Sequence, residues 1–319
     1  MKLKTLAVGS LLITCFALGI QATQTPATSP AQTQTQRAPQ TVKVDVDLTL
    51  VNATVLDPKG RVVTDLEPQH FEVWEDRVQQ TIEYFSEEDV PLSLGLIFDI
   101  SGSMKNKIGI ARDSAATFLT TGNPEDEYFL VEFSGRPEIT QDFTTDVSRL
   151  RNRLMFTPVN GLTALFDAVY LGLEKLKDGA NTKKALLLIT DGEDNRSRYT
   201  FHNVSEFLKE QDVQLFAIGI VESNMSQLSM GRTGRDLIEQ LTELTGGRAF
   251  FPENIYELPD ICTKIAIELK NQYALGYRST NTTKDGKWRK ISLKVHPPEG
   301  MPDMIIRGKT GYYAPSGGR

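Results

Sequence analysis

The stretch LGLIFDISGSMKNK, residues 94–107, sets the fold because it joins a buried strand to the start of a helix. Its first half is an unbroken apolar run, which is typical of a strand that is covered on both faces. Asp99 ends the run, and Gly102 in the following loop eases a sharp turn of the backbone. Apolar residues then recur at helical spacing in KIGIARDSAATFLTT, residues 107–121. The stretch therefore predicts a strand–loop–helix unit of an α/β protein.

The same alternation of strand and helix patterns continues along the chain. Three more apolar runs predict strands, at residues 126–134, 183–191 and 213–221. The segment PEITQDF, residues 137–143, predicts an antiparallel neighbour of the first of these. Such alternation is typical of a doubly wound, mostly parallel sheet of the Rossmann-like kind, with helices on both faces. We expect this domain to span residues 90–270.

Short strand patterns lie on both sides of the α/β domain. Those before it are VKVDVDLTLVNATVL (42–56), RVVTDL (61–66), FEVWED (71–76) and TIEYFS (81–86). Each block alone is too small to bury much apolar surface, and compact domains tolerate insertions. We therefore expect residues 42–89 and 271–315 to form one small β-sandwich that is split by the α/β domain. The alternative is two separate β appendages.

The N-terminus predicts export from the cytoplasm. Lys2 and Lys4 precede an apolar run, and residues 1–22 match a signal peptide. The run is shorter than the roughly 20 residues that cross a bilayer, although an uncleaved anchor is the alternative. Residues 23–41 are rich in Thr, Gln, Pro and Ala and predict a flexible linker. We expect a bacterial protein of the periplasm, the cell envelope or the medium, with no membrane contact beyond the export signal.

Charge and cysteine content exclude some classes of protein. The net charge is −6, without a basic cluster, which argues against nucleic acid as the partner. Cys262 is the only cysteine outside the predicted signal peptide, so an internal disulfide is not expected.

Oxygen-bearing side chains cluster where the predicted strands end. Asp99, Ser101 and Ser103 alternate, so their side chains can converge in an extended loop. Thr163 at a predicted helix start and Asp191 at a strand end offer two more oxygens at the same edge of the sheet. Carboxylate and hydroxyl oxygens suit a hard divalent cation such as Mg²⁺. Each element could instead be only a helix cap or a turn.

This combination resembles the von Willebrand factor A-type domain and its metal-ion-dependent adhesion site, or MIDAS. The resemblance covers residues 90–270, and the matching motifs are DISGS, GLTAL and TDGED. The flanking segments FEVWED–QTIEYF, YALGY, DGKWRKISLKV and GYYAP resemble secreted bacterial proteins of this family, of the acidobacterial type. One departure is Leu162, where a second glycine is common in the family.

The resemblance implies that the site binds Mg²⁺, or Mn²⁺ or Ca²⁺, through Asp99, Ser101, Ser103, Thr163 and Asp191. It also implies a function in adhesion or protein binding, with the cation accepting a carboxylate from an exposed Asp or Glu of a partner. Segments 157–163, 192–199 and 222–235 are predicted to contact that partner.

An enzyme is not expected. The three histidines fall in unrelated segments, and the sequence has no GxSxG, HExxH, Walker A or GxGxxG motif. Two alternatives remain open: a metal-assisted hydrolase, because a divalent ion can activate water, and a metal-free scaffold of the cell envelope.

Overall fold

The structure is a computed structural model, and it describes residues 48–87, 89–192, 194–220 and 232–317. The predicted signal peptide and linker lie outside the described residues. Within the described ranges, no helix combines the length and the apolar character that crossing a membrane requires.

The strands and helices of the described ranges are labelled in chain order. The strands are β1 Thr49–Leu56, β2 Phe71–Glu75, β3 Val78–Gln80, β4 Ile82–Ser86, β5 Leu92–Asp99, β6 Glu127–Phe133, β7 Pro137–Thr144, β8 Lys183–Thr190, β9 Gln214–Gly219, β10 Ala249–Phe250, β11 Tyr273–Tyr277, β12 Trp288–Val295, β13 Ile305–Gly308 and β14 Gly311–Tyr313. The helices are α1 Ile108–Thr121, α2 Val147–Phe156, α3 Leu165–Leu176, α4 Phe201–Glu210, α5 Arg232–Leu244 and α6 Leu258–Lys270. Short 3-10 helices span Pro68–His70, Gly102–Asn106 and Ile255–Glu257.

The central sheet has six strands in the order β10-β9-β8-β5-β6-β7. All neighbours are parallel except β7, which pairs antiparallel with β6. Strand β5 is buried along its whole length, as its apolar run predicts. Gly95 lets its neighbours pack closely, because a Cβ there would lie 2.3 Å from Phe129 Cζ. The prediction of a mostly parallel, doubly wound α/β sheet is confirmed.

Helices cover both faces of this sheet. One hydrophobic core joins α1, α2 and α6 to the face of β5 that carries Leu96 and Phe98. A second core joins α3, α4 and α5 to the opposite face, which carries Ile97. The helices hold the sheet rigid and leave the loops at its carboxyl edge at the surface, where ligands bind in folds of this kind.

The remaining strands form two four-stranded sheets, β13-β1-β11-β4 and β14-β12-β2-β3. Each sheet combines strands from both sides of the α/β segment; for example, Val51 of β1 pairs with Leu275 of β11. The two sheets share one hydrophobic core, in which the rings of Phe71 and Tyr273 lie 4.9 Å apart. The exact domain boundaries at residues 89 and 270 stay a prediction.

The segment RVVTDL is not a strand, contrary to its alternating pattern. Its only ladder contact among the described residues is an isolated bridge between Val62 and Leu56. The Asp57 carboxylate accepts hydrogen bonds from the backbone N–H groups of Lys59 and Arg61, at 2.9 Å each, and so stabilises a turn. Asp65 has a positive φ of 63°, which interrupts an extended backbone.

Candidate metal centre

The carboxyl ends of β5 and β8 bring the two candidate aspartates together. Asp99 is the last residue of β5, and Asp191 follows the last residue of β8. The two strands are neighbours, with Phe98 opposite Ile189, so both carboxylates lie at one edge of the sheet. Both residues are almost fully buried. Two buried carboxylates at one edge repel each other, and a cation between or beside them would relieve that repulsion.

Three side-chain oxygens form a continuous cluster at this edge. Ser103 Oγ donates to Asp191 Oδ1 at 2.7 Å, and the Oγ atoms of Ser101 and Ser103 are 3.1 Å apart. Ser101 occupies the N-cap position of the 3-10 helix, yet its side chain makes no capping hydrogen bond. The hydroxyls therefore point to the cluster and do not cap the helix, in contrast to the alternative interpretation of the sequence.

Thr163 lies next to the same cluster. A Cβ on Gly192 would lie 3.4 Å from Thr163 Oγ1 and 4.0 Å from Ser103 Oγ, so both hydroxyls border the Gly192 backbone. Asn195 fixes Thr163 twice: Asn195 Oδ1 accepts from Thr163 N at 2.9 Å, and Asn195 N donates to Thr163 O at 3.0 Å. Thr163 precedes α3 and is not its cap, because Ala164 is at the N-cap position.

Asp99 is held by donors on both carboxylate oxygens. Its Oδ1 accepts from Ser101 N at 2.8 Å, and its Oδ2 accepts from Thr190 Oγ1 at 2.5 Å. Burial raises the pKa of the Asp99 carboxyl to about 6, partly offset by the hydrogen bonds from Thr190 and Ser101. The nearby charge of Asp191 raises the pKa of Asp99 further. A bound cation would favour the ionised form of both acids.

Lys107 brings a positive charge into the site. Its Nζ donates to Asp191 Oδ2 at 2.6 Å, and the lysine is only 6% exposed. Lys107 stands at the N-cap position of α1, where the helix dipole disfavours a cation, and the carboxylate of Asp191 helps to stabilise the ammonium there. Sequence reasoning missed Lys107 and Thr190. Thr190 directly precedes the predicted ligand Asp191, whereas no local pattern links Lys107 to Asp191.

The loop after Asp191 is anchored to α3. Asp194 Oδ1 accepts from the backbone N–H of Leu165 at 2.9 Å, and Asp167 Oδ1 accepts from Arg198 N at 2.8 Å. Asp194 thus supports the start of α3 and does not join the oxygen cluster through these contacts. Glu193 and residues 221–231, which include most of the predicted contact segment 222–235, lie outside the described residues.

The donor set fits a hard divalent cation. Two ligand oxygens at right angles around Mg²⁺, each about 2.1 Å from the metal, are about 3 Å apart. The observed separations of 2.7 Å from Ser103 to Asp191 and 3.1 Å from Ser101 to Ser103 match that spacing. In the described ranges, no three His, Cys, Asp or Glu side chains group as metal ligands, so this set depends on hydroxyls beside its two carboxylates.

Comparison with protein families agrees with this fold. Residues 94–193 match the family model described as von Willebrand factor type A domain. The match begins in β5 and ends just after Asp191, so it includes all five candidate ligands. The chain therefore contains a von Willebrand factor A-type domain. Domains of this type are typically binding or adhesion modules.

Comparison with solved structures found neighbours at low identity. BatB from Bacteroides thetaiotaomicron is 15% identical, with 56% of this chain and 100% of that chain covered and a TM-score of 0.46. A von Willebrand factor type A protein from Catenulispora acidiphila is 10% identical, with 85% and 74% covered and a TM-score of 0.48. Proximal thread matrix protein 1 from the mussel byssus, with a zinc-occupied MIDAS motif, is 15% identical, with 61% and 50% covered and a TM-score of 0.49. Comparison with curated proteins found no match.

Proposed function

We propose that this protein binds a partner protein through a divalent cation, Mg²⁺ or else Mn²⁺ or Ca²⁺, held by Asp99, Ser101, Ser103, Thr163 and Asp191. The observation that carries the proposal is the oxygen cluster of Ser101, Ser103 and Asp191, which has the spacing of metal ligands. Ser103 is exposed, so a partner can reach the cluster from solvent.

The residues around the cluster have separate roles in this proposal. Thr190 and the backbone of Ser101 orient the Asp99 carboxylate, and Asn195 orients Thr163. Because three of the five ligands are neutral hydroxyls, the bound cation would stay electrophilic and supply a position for an Asp or Glu side chain of the partner. Binding rather than catalysis is the role we propose.

Two exposed apolar side chains, one just before segment 157–163 and one within it, would add contact area for the partner. Phe156 is 85% exposed at the end of α2, and Leu162, next to Thr163, is 52% exposed. The backbone between them is fixed to the metal loop, because Asn160 N donates to Ile100 O at 2.9 Å and Gly102 N donates to Gly161 O at 3.1 Å. Segment 157–163 would therefore present Leu162 to a partner at a fixed distance from the cation.

Titration of the purified protein with Mn²⁺, followed by capture of an envelope extract with and without EDTA, tests the proposal. Ser103→Ala removes one proposed ligand, and Ser148→Ala is the matched control because Ser148 is exposed on α2. We expect Ser103→Ala to weaken Mn²⁺ binding and to lose the EDTA-sensitive capture, while Ser148→Ala keeps both. Equal behaviour of the two variants would contradict the proposal. Metal-dependent hydrolysis of a phosphate or carboxylic ester that is lost in EDTA and in Ser103→Ala would point to a hydrolase.

A metal-free envelope scaffold is the second candidate, and the Lys107–Asp191 pair favours it. The ammonium already neutralises one of the two buried acids without any metal ion. The same titration separates the candidates. A scaffold gives no heat with Mn²⁺ and no rise in melting temperature.

Export is also part of the proposal and rests on residues 1–22. If the signal peptide is cleaved after Ala22, the mature chain begins at Thr23. Mass spectrometry of the protein recovered outside the cytoplasm measures this directly. An intact N-terminus in the membrane fraction would favour the uncleaved anchor.

A further inference from the structure

Both carboxylate oxygens of Asp191 are engaged within the protein. Ser103 Oγ donates to Oδ1 at 2.7 Å, and Lys107 Nζ donates to Oδ2 at 2.6 Å. The first contact is compatible with a cation, because the serine hydroxyl can turn its hydrogen away and offer a lone pair. The second contact cannot adapt in this way, because the Lys107 ammonium has three donors and no acceptor and cannot become a ligand.

The Lys107 ammonium is a cation fixed beside the place that the metal ion would occupy. The side chains of Lys107 and Asp191 are 8% and 0% exposed, so solvent screens the charges only weakly. Like charges a few ångströms apart repel strongly in such surroundings. A divalent cation on Asp191 must therefore either displace the ammonium or tolerate its charge.

We propose that Lys107 is a built-in counter-cation of Asp191 that competes with the metal ion and lowers the affinity of the site for it. This inference rests on the proposed function, because it concerns the same site. If Lys107 stays nearby after metal binding, two aspartates, one ammonium and one divalent cation carry one net positive charge. That net positive charge would attract an acidic group of the partner, whereas the ammonium repels the metal ion itself.

Lys107→Met tests the competition, because methionine keeps an unbranched, flexible side chain and removes the charge. Lys105→Met is the matched control: Lys105 lies in the 3-10 helix that ends just before Lys107, carries the same charge and is exposed. The probe is Mn²⁺ alone, titrated by calorimetry into the full chain. Melting temperature in EDTA and in saturating Mn²⁺ is the second measurement.

We expect Lys107→Met to bind Mn²⁺ about tenfold more tightly than the parent or more, since a repelling charge is removed from a weakly screened site. Lys105→Met should stay within about threefold of the parent, because its exposed charge is screened. In EDTA, Lys107→Met should melt at a lower temperature than the parent, because Asp191 is left buried without its counter-charge. Mn²⁺ should reverse that loss, and failure to reverse it would overturn the inference.

The outcomes separate this inference from the proposed function. If the parent binds Mn²⁺ and Lys107→Met binds it equally or more weakly, the competition is wrong and the proposed function stands. If the variant binds Mn²⁺ and the parent does not, the competition is upheld and metal-dependent binding by the parent fails. If neither binds Mn²⁺, both proposals fail.

Discussion

A buried lysine ammonium lies at each end of strand β8, and the two lysines differ in the group that accepts their hydrogen bonds. At the amino end, Lys183 donates to the backbone carbonyl of Leu269, a neutral group. At the carboxyl end, Lys107 donates to the carboxylate of Asp191. Both lysines are 6% exposed. A buried lysine is therefore not in itself a mark of function; the distinction lies in the acidic, oxygen-rich edge that surrounds Lys107.

Their surroundings explain the difference in chemistry. Burial lowers the pKa of Lys183 to about 8, although the charges of Asp89 and Asp126 act in the opposite direction. The Lys183 end of the sheet is covered by the end of α6 and has no hydroxyl cluster among the contacts described for it. The Lys107 end has serine hydroxyls within reach of solvent, which is why we assign ligand binding to that end.

The largest expected effect comes from Asp191→Ala, which removes the carboxylate that Lys107 donates to at the carboxyl end of β8. The variant loses a proposed ligand and breaks the buried ion pair of Lys107 and Asp191, and breaking such a pair costs about 3–5 kcal/mol. Urea unfolding without metal measures the loss, and calorimetry should show no Mn²⁺ binding.

The control for Asp191→Ala is Asp146→Ala. Asp146 is exposed and caps α2, with Oδ1 accepting from Ser148 N at 3.0 Å. Loss of that cap should cost about 1 kcal/mol and leave Mn²⁺ binding unchanged. Asp191→Ala with no more than this loss, or with Mn²⁺ binding retained, would contradict our assignment of the buried pair.

The amino end of β8, where Lys183 lies, is tested by measuring the free energy of unfolding as a function of pH. The pKa of Lys183 is lowered from 10.5 to about 8 on folding, so between these values the unfolded chain binds more protons than the folded one. The contribution of Lys183 to the free energy of unfolding should therefore rise by about 3 kcal/mol from pH 8 to pH 10.5. Below pH 8 the lysine is charged in both states, and the contribution is constant.

Lys183→Met isolates that contribution, because other groups also titrate at high pH. Urea unfolding of the parent and of Lys183→Met at several pH values gives the difference between them. We expect parent stability, relative to the variant, to increase from pH 8 to pH 10.5. A difference that does not change with pH would show that burial does not disfavour the charged form of Lys183.

A smaller effect is expected from Thr190→Val, which keeps the shape of the side chain and removes its hydroxyl. Asp99 Oδ2 then loses its donor in a fully buried position, which costs about 1–3 kcal/mol. Mn²⁺ binding should weaken by a few fold, since Asp99 is less well oriented. Thr120→Val on the exposed face of α1 is the control. An equal effect of both variants would show that Thr190 does not contribute to the site.

The smallest effect on the protein itself is expected from Phe156→Ala. Phe156 is 85% exposed, so its truncation should change the free energy of unfolding by less than about 0.5 kcal/mol and leave Mn²⁺ affinity unchanged. Capture of a partner should nevertheless weaken if this side chain adds contact area. Unchanged EDTA-sensitive capture would exclude Phe156 from the interface.

Much of the fold was predictable, because buried parallel strands leave long apolar runs. The run that ends at Asp99 and the run that ends before Asp191 are recognisable from local pattern alone. RVVTDL shows the limit of that approach: its alternation fits a strand, yet the turn at Asp57 and the positive φ of Asp65 leave it with an isolated bridge from Val62 to Leu56 instead of a strand ladder.

The candidate site was predictable only in part. The oxygens of DISGS could be placed because they are close in sequence and alternate. The contacts of Lys107 with Asp191 and of Thr190 with Asp99 join residues 84 and 91 positions apart, and they depend on the register of β5 and β8. No local pattern contains that register, which is why a buried lysine in the quoted stretch was not recognised as part of the site.

The most direct test is a crystal of the full chain soaked in MnCl₂, with anomalous scattering recorded for manganese. Our account predicts one strong peak bounded by the oxygens of Asp99, Ser101, Ser103, Thr163 and Asp191. No peak at this edge of the sheet, with the Lys107–Asp191 pair intact at saturating Mn²⁺, would contradict it.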